Sequence, residues 1–261
     1  MTTFAELTTT RVGGPIAEVV TASTDDEVIA ALSADAVVLG GGSNVIAADS
    51  PFNGRVVRIA TTGIEVQRDG DRVLVEVAAG EPWDDLVAFT VEQGWSGIDG
   101  LVLDSAGTSA VRYADLARAL GVALDGRAPA SRVRETVLDL RRAKGMVLDP
   151  SDPDTRSTGS FFTNPIVDAD VASALDGCPR YPSDRGVKVS AAWLIENAGI
   201  ERGYSRDGRV RVSTKHTLAL ANAGGGTADD VLALAREIRD RVQAAFGITL
   251  VPEPVLLGCS L

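Results

Sequence analysis

The sequence predicts an α+β fold in which several small units of strand and helix follow one another along the chain. Short β-branched runs dominate the first part of the sequence, whereas longer amphipathic helical patterns dominate the C-terminal half. Strands and helices that are segregated in this way are typical of α+β folds. With 261 residues, the chain is long enough for one large domain or for two to three small ones.

The first unit is predicted to contain a strand, a helix and two further strands. Its helix lies at 23–33, where Thr24 and Glu27 have the spacing of a capping box before a run of apolar residues on one face. The strands are expected in three β-branched runs, at 17–22, 36–44 and 55–60.

The next unit is predicted to contain a strand at 72–81 and a helix at 82–94. Pro82 and Gly94 are favoured residues for the start and the end of that helix. Asp99-Gly100 is a common tight-turn dipeptide, and the apolar run "LVL" that follows it is expected to be a short strand. With the helical segments of 113–143, this middle unit would contain only two strands.

The C-terminal half is predicted to be more helical. The pattern at 227–247 has a Thr227 cap, an apolar stripe and Gly247 as a terminator, and it is the most clearly defined element of the chain. Strand residues are expected within 209–222. Further helices are predicted at 131–145 and 190–199.

Composition and charge argue against several classes of function. Lys+Arg 25 against Asp+Glu 36 gives a net charge of −11, whereas nucleic-acid binding requires a basic face. No apolar run reaches membrane-spanning length and the N-terminus lacks a signal-peptide layout, so we expect a cytoplasmic protein without a membrane partner. Cys178 and Cys259 form neither a disulfide framework nor a zinc-site pattern, and no metal is expected.

The segment "DTRSTGSFFTNP" (154–165) places one hydroxyl, that of Ser160, directly before two phenylalanines. A Ser-His-Asp triad could use only His216, the single histidine of the chain, and no G-x-S-x-G motif is present. Ser160 is therefore not expected to be an activated nucleophile. From this segment alone, a role as a helix or turn cap is the favoured interpretation.

The segment "VVLGGGSN" (37–44) is an apolar strand that leads into three glycines, Ser43 and Asn44. Backbone N–H groups of such a loop can surround an anion such as a pyrophosphate. The segment is neither a Walker loop nor the G-x-G-x-x-G fingerprint. A tight turn that requires positive φ is an equally good interpretation of the segment by itself.

Several motifs occur in an order that has a counterpart in a known family. They are "TRVGGP" (10–15), "VLGGGSNV" (38–45), "AGEPWDDLV" (79–87), "KGMVLDP" (144–150), "GSFFTNP" (159–165), "AAWLIE" (191–196), "STKHTLALAN" (213–222) and "PEP" (252–254). In this order they resemble the UDP-N-acetylenolpyruvoylglucosamine reductases, also called UDP-N-acetylmuramate dehydrogenases. The resemblance extends from about residue 7 to the C-terminus.

The resemblance implies an FAD-dependent oxidoreductase of peptidoglycan precursor synthesis, and hence of cell-wall biogenesis, cell shape and cell division. NADPH would reduce FAD, which would pass hydride to the enolpyruvyl ether of UDP-N-acetylglucosamine. The product would be UDP-N-acetylmuramate. The implied partner is thus a UDP-sugar substrate, and a monomer is expected.

The resemblance also assigns roles to residues. Ser160 matches the serine that gives a proton to the reduced substrate, a step that needs no histidine base. Glu253 matches the acidic residue that stabilises the enolic intermediate together with an arginine. Substrate contacts are implied for Lys144, Asn164, Lys215 and His216, with no imidazole chemistry implied for His216. The loop that holds the FAD pyrophosphate corresponds to Gly40, Gly41, Gly42, Ser43 and Asn44.

The chain departs from the family after about Ile98. The family continues there with a Gly- and Pro-rich loop under the flavin and with strands that lead to a Phe-Gly-Tyr-Arg motif carrying the catalytic arginine. This chain passes directly through Asp99-Gly100 into "LVLDSAG" and has no Gly-Tyr-Arg sequence. We therefore expect a large internal deletion.

The implied architecture is a small α/β FAD-binding subdomain at 1–62, a truncated second FAD-binding subdomain at 63–143 and an α+β substrate domain at 144–261. Two functions remain open at this point. The chain is either a working reductase with a shortened flavin domain, or a nucleotide-sugar or flavin binding module without reductase activity.

Overall fold

We describe a computed structural model of the chain, which covers residues 1–70, 72–99, 102–104 and 107–261. The helices are α1 (Phe4–Leu7), α2 (Asp25–Ala31), α3 (Trp83–Glu92), α4 (Ala114–Leu120), α5 (Ala130–Ala143), α6 (Ala169–Ala174), α7 (Ala191–Asn197) and α8 (Ala228–Phe246), with a 3₁₀ turn at Pro153–Thr155. The strands of the N-terminal part are β1 (Ile16–Ala22), β2 (Val37–Leu39), β3 (Val45–Ala47), β4 (Phe52–Ile59), β5 (Ile64–Asp69), β6 (Arg72–Val77), β7 (Ser96–Asp99), β8 (Val102–Asp104), β9 (Thr108–Ala110) and β10 (Arg127–Pro129). The later strands are β11 (Ile166–Val167), β12 (Arg180–Ser183), β13 (Gly186–Val189), β14 (Val210–Val212), β15 (Leu220–Asn222) and β16 (Val255–Leu257).

The described residues combine helices with strands that pair mostly in the antiparallel sense, which confirms the predicted α+β class. The chain forms two compact units. The first unit comprises residues 1–17, 42–53 and 144–261, and the second comprises 18–41 and 54–143. Compact units are not the same as sequence domains, so the division at residues 62 and 143 into three subdomains remains a prediction.

The core of the first unit is built around α8. This helix begins at a complete capping box of Thr227 and Asp230 and ends at Gly247, which has φ 70°. Its apolar stripe is buried against α7 and against the antiparallel hairpin β14–β15. The sheet β11-β13-β12 and the parallel pair β16–β3 complete the strands of this unit.

The second unit contains a parallel pair of β2 with β4 and an antiparallel sheet in the order β5-β6-β8-β7. Val73, Val75, Leu86 and Trp95 form the buried cluster between that sheet and α3. A further cluster, beside the β9–β10 pair, joins α4 to α5.

The helix signals in the sequence correctly predicted α2, α3, α5, α7 and α8. For α2, the structure contains both hydrogen bonds of the capping box between Thr24 and Glu27. A cap needs only residues that are close in sequence, which explains why these positions were predictable.

One strand prediction requires correction. The middle unit has a four-stranded sheet rather than two strands, because the alternating segment 64–69 and the segment 96–99 also pair. The strand residues expected within 209–222 are confirmed as two short strands, β14 and β15, with a loop between them. Gly100 of the predicted Asp99-Gly100 turn and the first leucine of "LVL" lie outside the described residues.

Within the described part of the chain, no helix is both long enough and apolar enough to cross a membrane.

Candidate active site

Backbone hydrogen bonds on both sides fix the segment that carries Ser160. On one side, Ser160 forms an antiparallel bridge with Ala219, and the N–H of Phe161 donates to the carbonyl of Leu218 at 2.7 Å. On the other side, the N–H of Glu253 donates to the carbonyl of Phe161 at 2.9 Å. The segment therefore brings Ser160 together with the 213–222 and 252–254 motifs.

The two phenylalanines anchor this segment in the core. Phe161 and Phe162 are buried, with exposed fractions of 0% and 1%, and their rings meet edge to face at 5.1 Å. Burial of two aromatic side chains contributes several kcal/mol to stability, of the order of 1.5–3 kcal/mol each. The half-buried Ser160 side chain is thus held by a rigid backbone and is not placed by a flexible loop.

In the described part of the chain, His216 is the only side chain within hydrogen-bonding distance of the Ser160 hydroxyl. Its Nε2 atom lies 3.4 Å from Ser160 Oγ. Burial lowers the pKa of His216 below its ordinary value of 6.5, and the positive charges of Lys144 and Arg202 lower it further, while Glu196 raises it. The unprotonated imidazole is therefore favoured at neutral pH.

The loop that carries His216 is held by two buried polar residues. Ser213 Oγ accepts hydrogen bonds from the N–H groups of Lys215 and His216, at 3.1 and 3.3 Å. One carboxylate oxygen of Asp154 accepts from the backbone and the hydroxyl of Thr214, at 3.1 and 2.5 Å. The other accepts from the guanidinium of Arg211, at 2.8 and 3.1 Å. These contacts fix the position of the imidazole relative to Ser160.

Asp154 is ionised in spite of its burial, since only 2% of its side chain is exposed. Burial raises the pKa of this carboxyl, but the hydrogen bonds from Thr214 and Arg211 and the positive charge of Arg211 outweigh that effect and lower it. Sequence reasoning missed Asp154 and its partners. The residue lies in "DPSDPDT", a typical turn composition, and nothing local indicates that it contacts residues about 60 positions away.

The two predicted lysines have different surroundings. Lys215 Nζ lies 2.5 Å from a carboxylate oxygen of Asp152, and this hydrogen bond raises the pKa of Lys215. Lys144 is exposed and has no ion-pair partner among the described residues. Of the two, Lys144 is the ammonium group whose charge is not already compensated.

Asn164 has a structural contact. Its Oδ1 atom accepts a hydrogen bond at 2.8 Å from the N–H of Ala191, the first residue of α7. The oxygen therefore satisfies one of the open N–H groups at that helix terminus. Only the amide NH₂ group of Asn164 remains for a ligand.

Glu253 is exposed, and its carboxylate has no hydrogen-bond or ion-pair partner among the residues that the structure describes. Its backbone N–H nevertheless donates to the carbonyl of Phe161, the residue that directly follows Ser160. The site thus contains one hydroxyl, one imidazole and one uncompensated carboxylate on neighbouring segments.

The glycine loop at 40–44 leaves room for a ligand, such as a pyrophosphate, to approach its backbone closely. Neither Gly40 nor Gly41 has positive φ, and beyond the adjoining residues no atom of the described chain lies within 4 Å of the position where a Cβ atom would stand. The packing of the chain therefore does not require glycine at these two positions, whereas a bound pyrophosphate would. Gly42 is different, because it has φ +64° and a Cβ atom there would lie 2.0 Å from the carbonyl oxygen of Leu7.

Two further features concern metals and unpaired groups. Among the described residues, no cluster of His, Cys, Asp and Glu side chains could hold a metal ion. Thr158 Oγ1, two residues before Ser160, is buried without a hydrogen-bond partner in that same part of the chain. Sequence reasoning did not single out Thr158.

Two family descriptions match this chain. Residues 150–257 match "UDP-N-acetylenolpyruvoylglucosamine reductase, C-terminal domain", and residues 16–113 match "FAD binding domain". The second match includes the glycine loop, and the first includes Ser160 and Glu253.

Curated proteins with the name UDP-N-acetylenolpyruvoylglucosamine reductase are similar over almost the whole chain. The protein of Cutibacterium acnes is 41% identical over 340 residues, which cover 99% of this chain and 90% of that protein. The protein of Thermobifida fusca is 40% identical over 347 residues, with 99% and 97% covered. Because these alignments are longer than the 261 residues of the chain, they contain long gaps on its side.

A solved structure shows the same fold. It is the UDP-N-acetylenolpyruvylglucosamine reductase of Thermus caldophilus, which matches with a TM-score of 0.59 over 98% of this chain and 97% of that chain, at 24% sequence identity.

Proposed function

The chain belongs to the UDP-N-acetylenolpyruvoylglucosamine reductase family, and from that premise we propose that it reduces UDP-N-acetylglucosamine enolpyruvate to UDP-N-acetylmuramate. FAD would be the bound cofactor and NADPH the reductant. The observation that carries this proposal is the placement of Ser160, on a rigid segment between the His216 loop and the segment that carries Glu253.

In this proposal Ser160 is the proton donor of the second half-reaction. FAD, held at the 40–44 loop, would supply the transfer of hydride from NADPH to the substrate carbon. Ser160 Oγ then gives its proton to the carbon next to the carboxylate, where negative charge has developed. The serine needs no activating base in this step, because it acts as an acid. Glu253 would contact the enolic group on the neighbouring segment.

The substrate groups with negative charge would be held by Lys144, together with the amide NH₂ of Asn164. An uncompensated ammonium group suits the diphosphate or the carboxylate of a UDP-sugar. Lys215 and His216 complete the proposed substrate contacts, although the charge of Lys215 is shared with Asp152.

The FAD pyrophosphate would bind at Gly40, Gly41, Gly42, Ser43 and Asn44. The open space beside Gly40 and Gly41 supports this proposal, and so does the left-handed conformation of Gly42, which turns the loop.

The reading as a binding module without activity is not retained. The similarity covers 99% of the chain, and the relatives that it covers are named as reductases.

We further propose a cytoplasmic location, because NADPH and nucleotide sugars are metabolites of that compartment. A monomer remains part of this proposal and is checked by light scattering of the purified protein.

The test uses the purified chain with FAD in excess. NADPH oxidation should depend on UDP-N-acetylglucosamine enolpyruvate, and mass spectrometry should show a product heavier by two hydrogen atoms. UDP-N-acetylglucosamine is the control, because it lacks the double bond that accepts hydride. Equal NADPH oxidation with both compounds, or none with either, would overturn the proposed reaction.

A further inference from the structure

The contact between Ser160 and His216 raises a question that the proposed function leaves open. A serine that gives away its proton becomes an alkoxide and must be protonated again in each turnover. The side chain beside Ser160 Oγ is an imidazole, whose Nε2 atom lies at 3.4 Å. Such contacts are often long in ligand-free enzymes and shorten when the reacting complex forms.

The surroundings of His216 distinguish a proton donor from the base of a triad. In a triad, a carboxylate orients the imidazole through Nδ1. Within the described part of the chain, Nδ1 of His216 has no hydrogen-bond partner. Glu196, the acidic residue whose charge acts on the ring, accepts a hydrogen bond from Thr217 Oγ1 at 2.5 Å instead. Among the described residues, His216 therefore lacks the Nδ1 carboxylate that orients the base of a triad.

The charged groups that act on the ring come from several segments. Lys144 follows α5, Arg202 follows α7 and Glu196 lies within α7, while Lys215 is the neighbour of His216 in its own loop. The cations outnumber the anion, and Lys215 is paired with Asp152. A bound substrate with a diphosphate and a carboxylate would compensate Lys144 and Arg202 and so favour the charged imidazolium.

We propose that His216 is the proton donor to Ser160 in the reduction of the substrate, an inference that rests on the proposed function. As the Oγ–H bond of Ser160 breaks and the C–H bond of the product forms, the Nε2–H bond of the imidazolium breaks and a new O–H bond restores the serine. The neutral imidazole, which keeps its proton on Nδ1, then takes up a proton from solvent at Nε2 when the product leaves. Protons and charges balance, and no further reactant is needed.

The first measurement is NMR titration of the ring, which does not depend on activity. His216 is the only histidine, so its imidazole signals need no assignment by mutation. We expect Ser160→Ala to change the Nε2 signal, and we expect UDP-N-acetylmuramate, which carries both anionic groups, to raise the pKa of the ring. An Nε2 signal that is the same in parent and Ser160→Ala would overturn the proposal.

The second measurement is stopped-flow reoxidation of the reduced flavoprotein by substrate, as a function of pH. Because the imidazolium is the active form, the rate in the parent should fall as pH rises through the pKa of His216 in the complex. His216→Gln should lose this inflection and react at least about tenfold more slowly, a smaller effect than the 10²–10⁴-fold typical of a direct donor.

Thr217→Val is the matched control, because it changes a buried residue of the same loop whose hydroxyl donates to Glu196 and not to Ser160. It should retain the inflection. If His216→Gln keeps the rate and pH profile of the parent, the inference is wrong while the proposed function stands. If the parent itself shows no reoxidation by substrate, the proposed function fails and the inference with it.

Discussion

At the scale of single residues, the site is defined by which groups have partners and which do not. Ser160 has an imidazole beside it, whereas the carboxylate of Glu253 and the ammonium group of Lys144 have no partner among the described residues. A charged side chain without a protein partner is available to bind a ligand of opposite charge or to act on a reacting group.

Replacement of the serine hydroxyl should affect one half-reaction only. We expect Ser160→Ala to slow reoxidation of the reduced flavin by substrate about 10²–10⁴-fold, because the product carbon then lacks its positioned acid. Reduction of FAD by NADPH should remain near the parent rate, since no proton from Ser160 is needed there. Stopped-flow absorbance separates the two steps. Unchanged reoxidation would mean that Ser160 is a turn residue.

Loss of Lys144 should weaken binding of a UDP-sugar more than loss of Lys215. Lys144→Ala should cost about 1.5–3 kcal/mol of binding free energy, the usual value for a lost charge-assisted hydrogen bond. Lys215→Ala should cost less, because Asp152 already compensates that charge. Isothermal titration with UDP-N-acetylmuramate measures both. A larger loss for Lys215→Ala would contradict the assignment of Lys144 as the main cation.

At the scale of elements, the two loops that we propose as ligand-binding segments are each held by different contacts. The 213–217 loop is held by side chains, chiefly Asp154 and Ser213. The glycine loop is held by the backbone, since the N–H of Thr9 donates to the carbonyl of Gly42 at 3.1 Å. Substitutions in the two loops should therefore have different consequences.

Loss of the buried carboxylate should destabilise the first unit. Asp154→Ala removes the acceptor of Arg211 and Thr214, and breaking a buried pair on one side costs about 3–5 kcal/mol of unfolding free energy. Asp240→Ala is the control, because its carboxylate is exposed and should change stability by less than about 0.5 kcal/mol. Urea denaturation of both variants gives the comparison.

The contribution of Asp154 should also depend on pH. Its pKa in the folded protein lies below the ordinary value of 3.8, so its stabilising effect is complete above that value and is lost as pH falls through the folded pKa. The difference in unfolding free energy between parent and Asp154→Ala should therefore shrink under acid conditions. A difference that grows toward low pH would show that the carboxylate is not the source of the stabilisation.

Substitutions in the glycine loop should show that Gly42 matters for stability and Gly40 for FAD binding. Gly42→Ala should destabilise the protein by at least about 1–2 kcal/mol, because the left-handed conformation and the carbonyl of Leu7 both exclude a Cβ atom. Gly40→Ala should leave stability within about 0.5 kcal/mol but weaken FAD binding about tenfold. Thermal unfolding and titration with FAD give the two values. Parent-like affinity in Gly40→Ala would place the pyrophosphate elsewhere.

At the scale of the whole molecule, the chain is shorter than the alignments with its relatives, and the missing segment is expected to follow Ile98. The resemblance implies that this segment would lie under the flavin ring, whereas the loop at 40–44, which we propose for the pyrophosphate, is present. The adenosine diphosphate part of FAD should therefore supply most of its binding free energy.

Titration with FAD and with ADP tests this expectation. The two dissociation constants should agree within about tenfold, equivalent to about 1.4 kcal/mol. FAD binding that is a hundredfold tighter than ADP binding would show that the shortened chain has a complete site for the flavin ring.

The sequence by itself determined the family, the α+β class and the local signals of the elements. Thr24, Thr227 and Gly247 act within one turn of their own helices, so their effect can be inferred without the fold. Ser160 could likewise be identified from the sequence, because it lies within the short motif of residues 159–165. In contrast, the strands at 64–69 and 96–99 were missed, because short strands form only where partners are available.

Only the tertiary structure decided which groups face one another in the site. His216 lies beside Ser160, although 56 positions separate them in sequence. Asp152 compensates Lys215, Asn164 caps α7 and the buried Asp154 holds Thr214, each across a separation that no local pattern records. The physical reason is that such contacts arise from the packing of segments around the core of α8, whereas propensities and motifs describe only residues near one another along the chain.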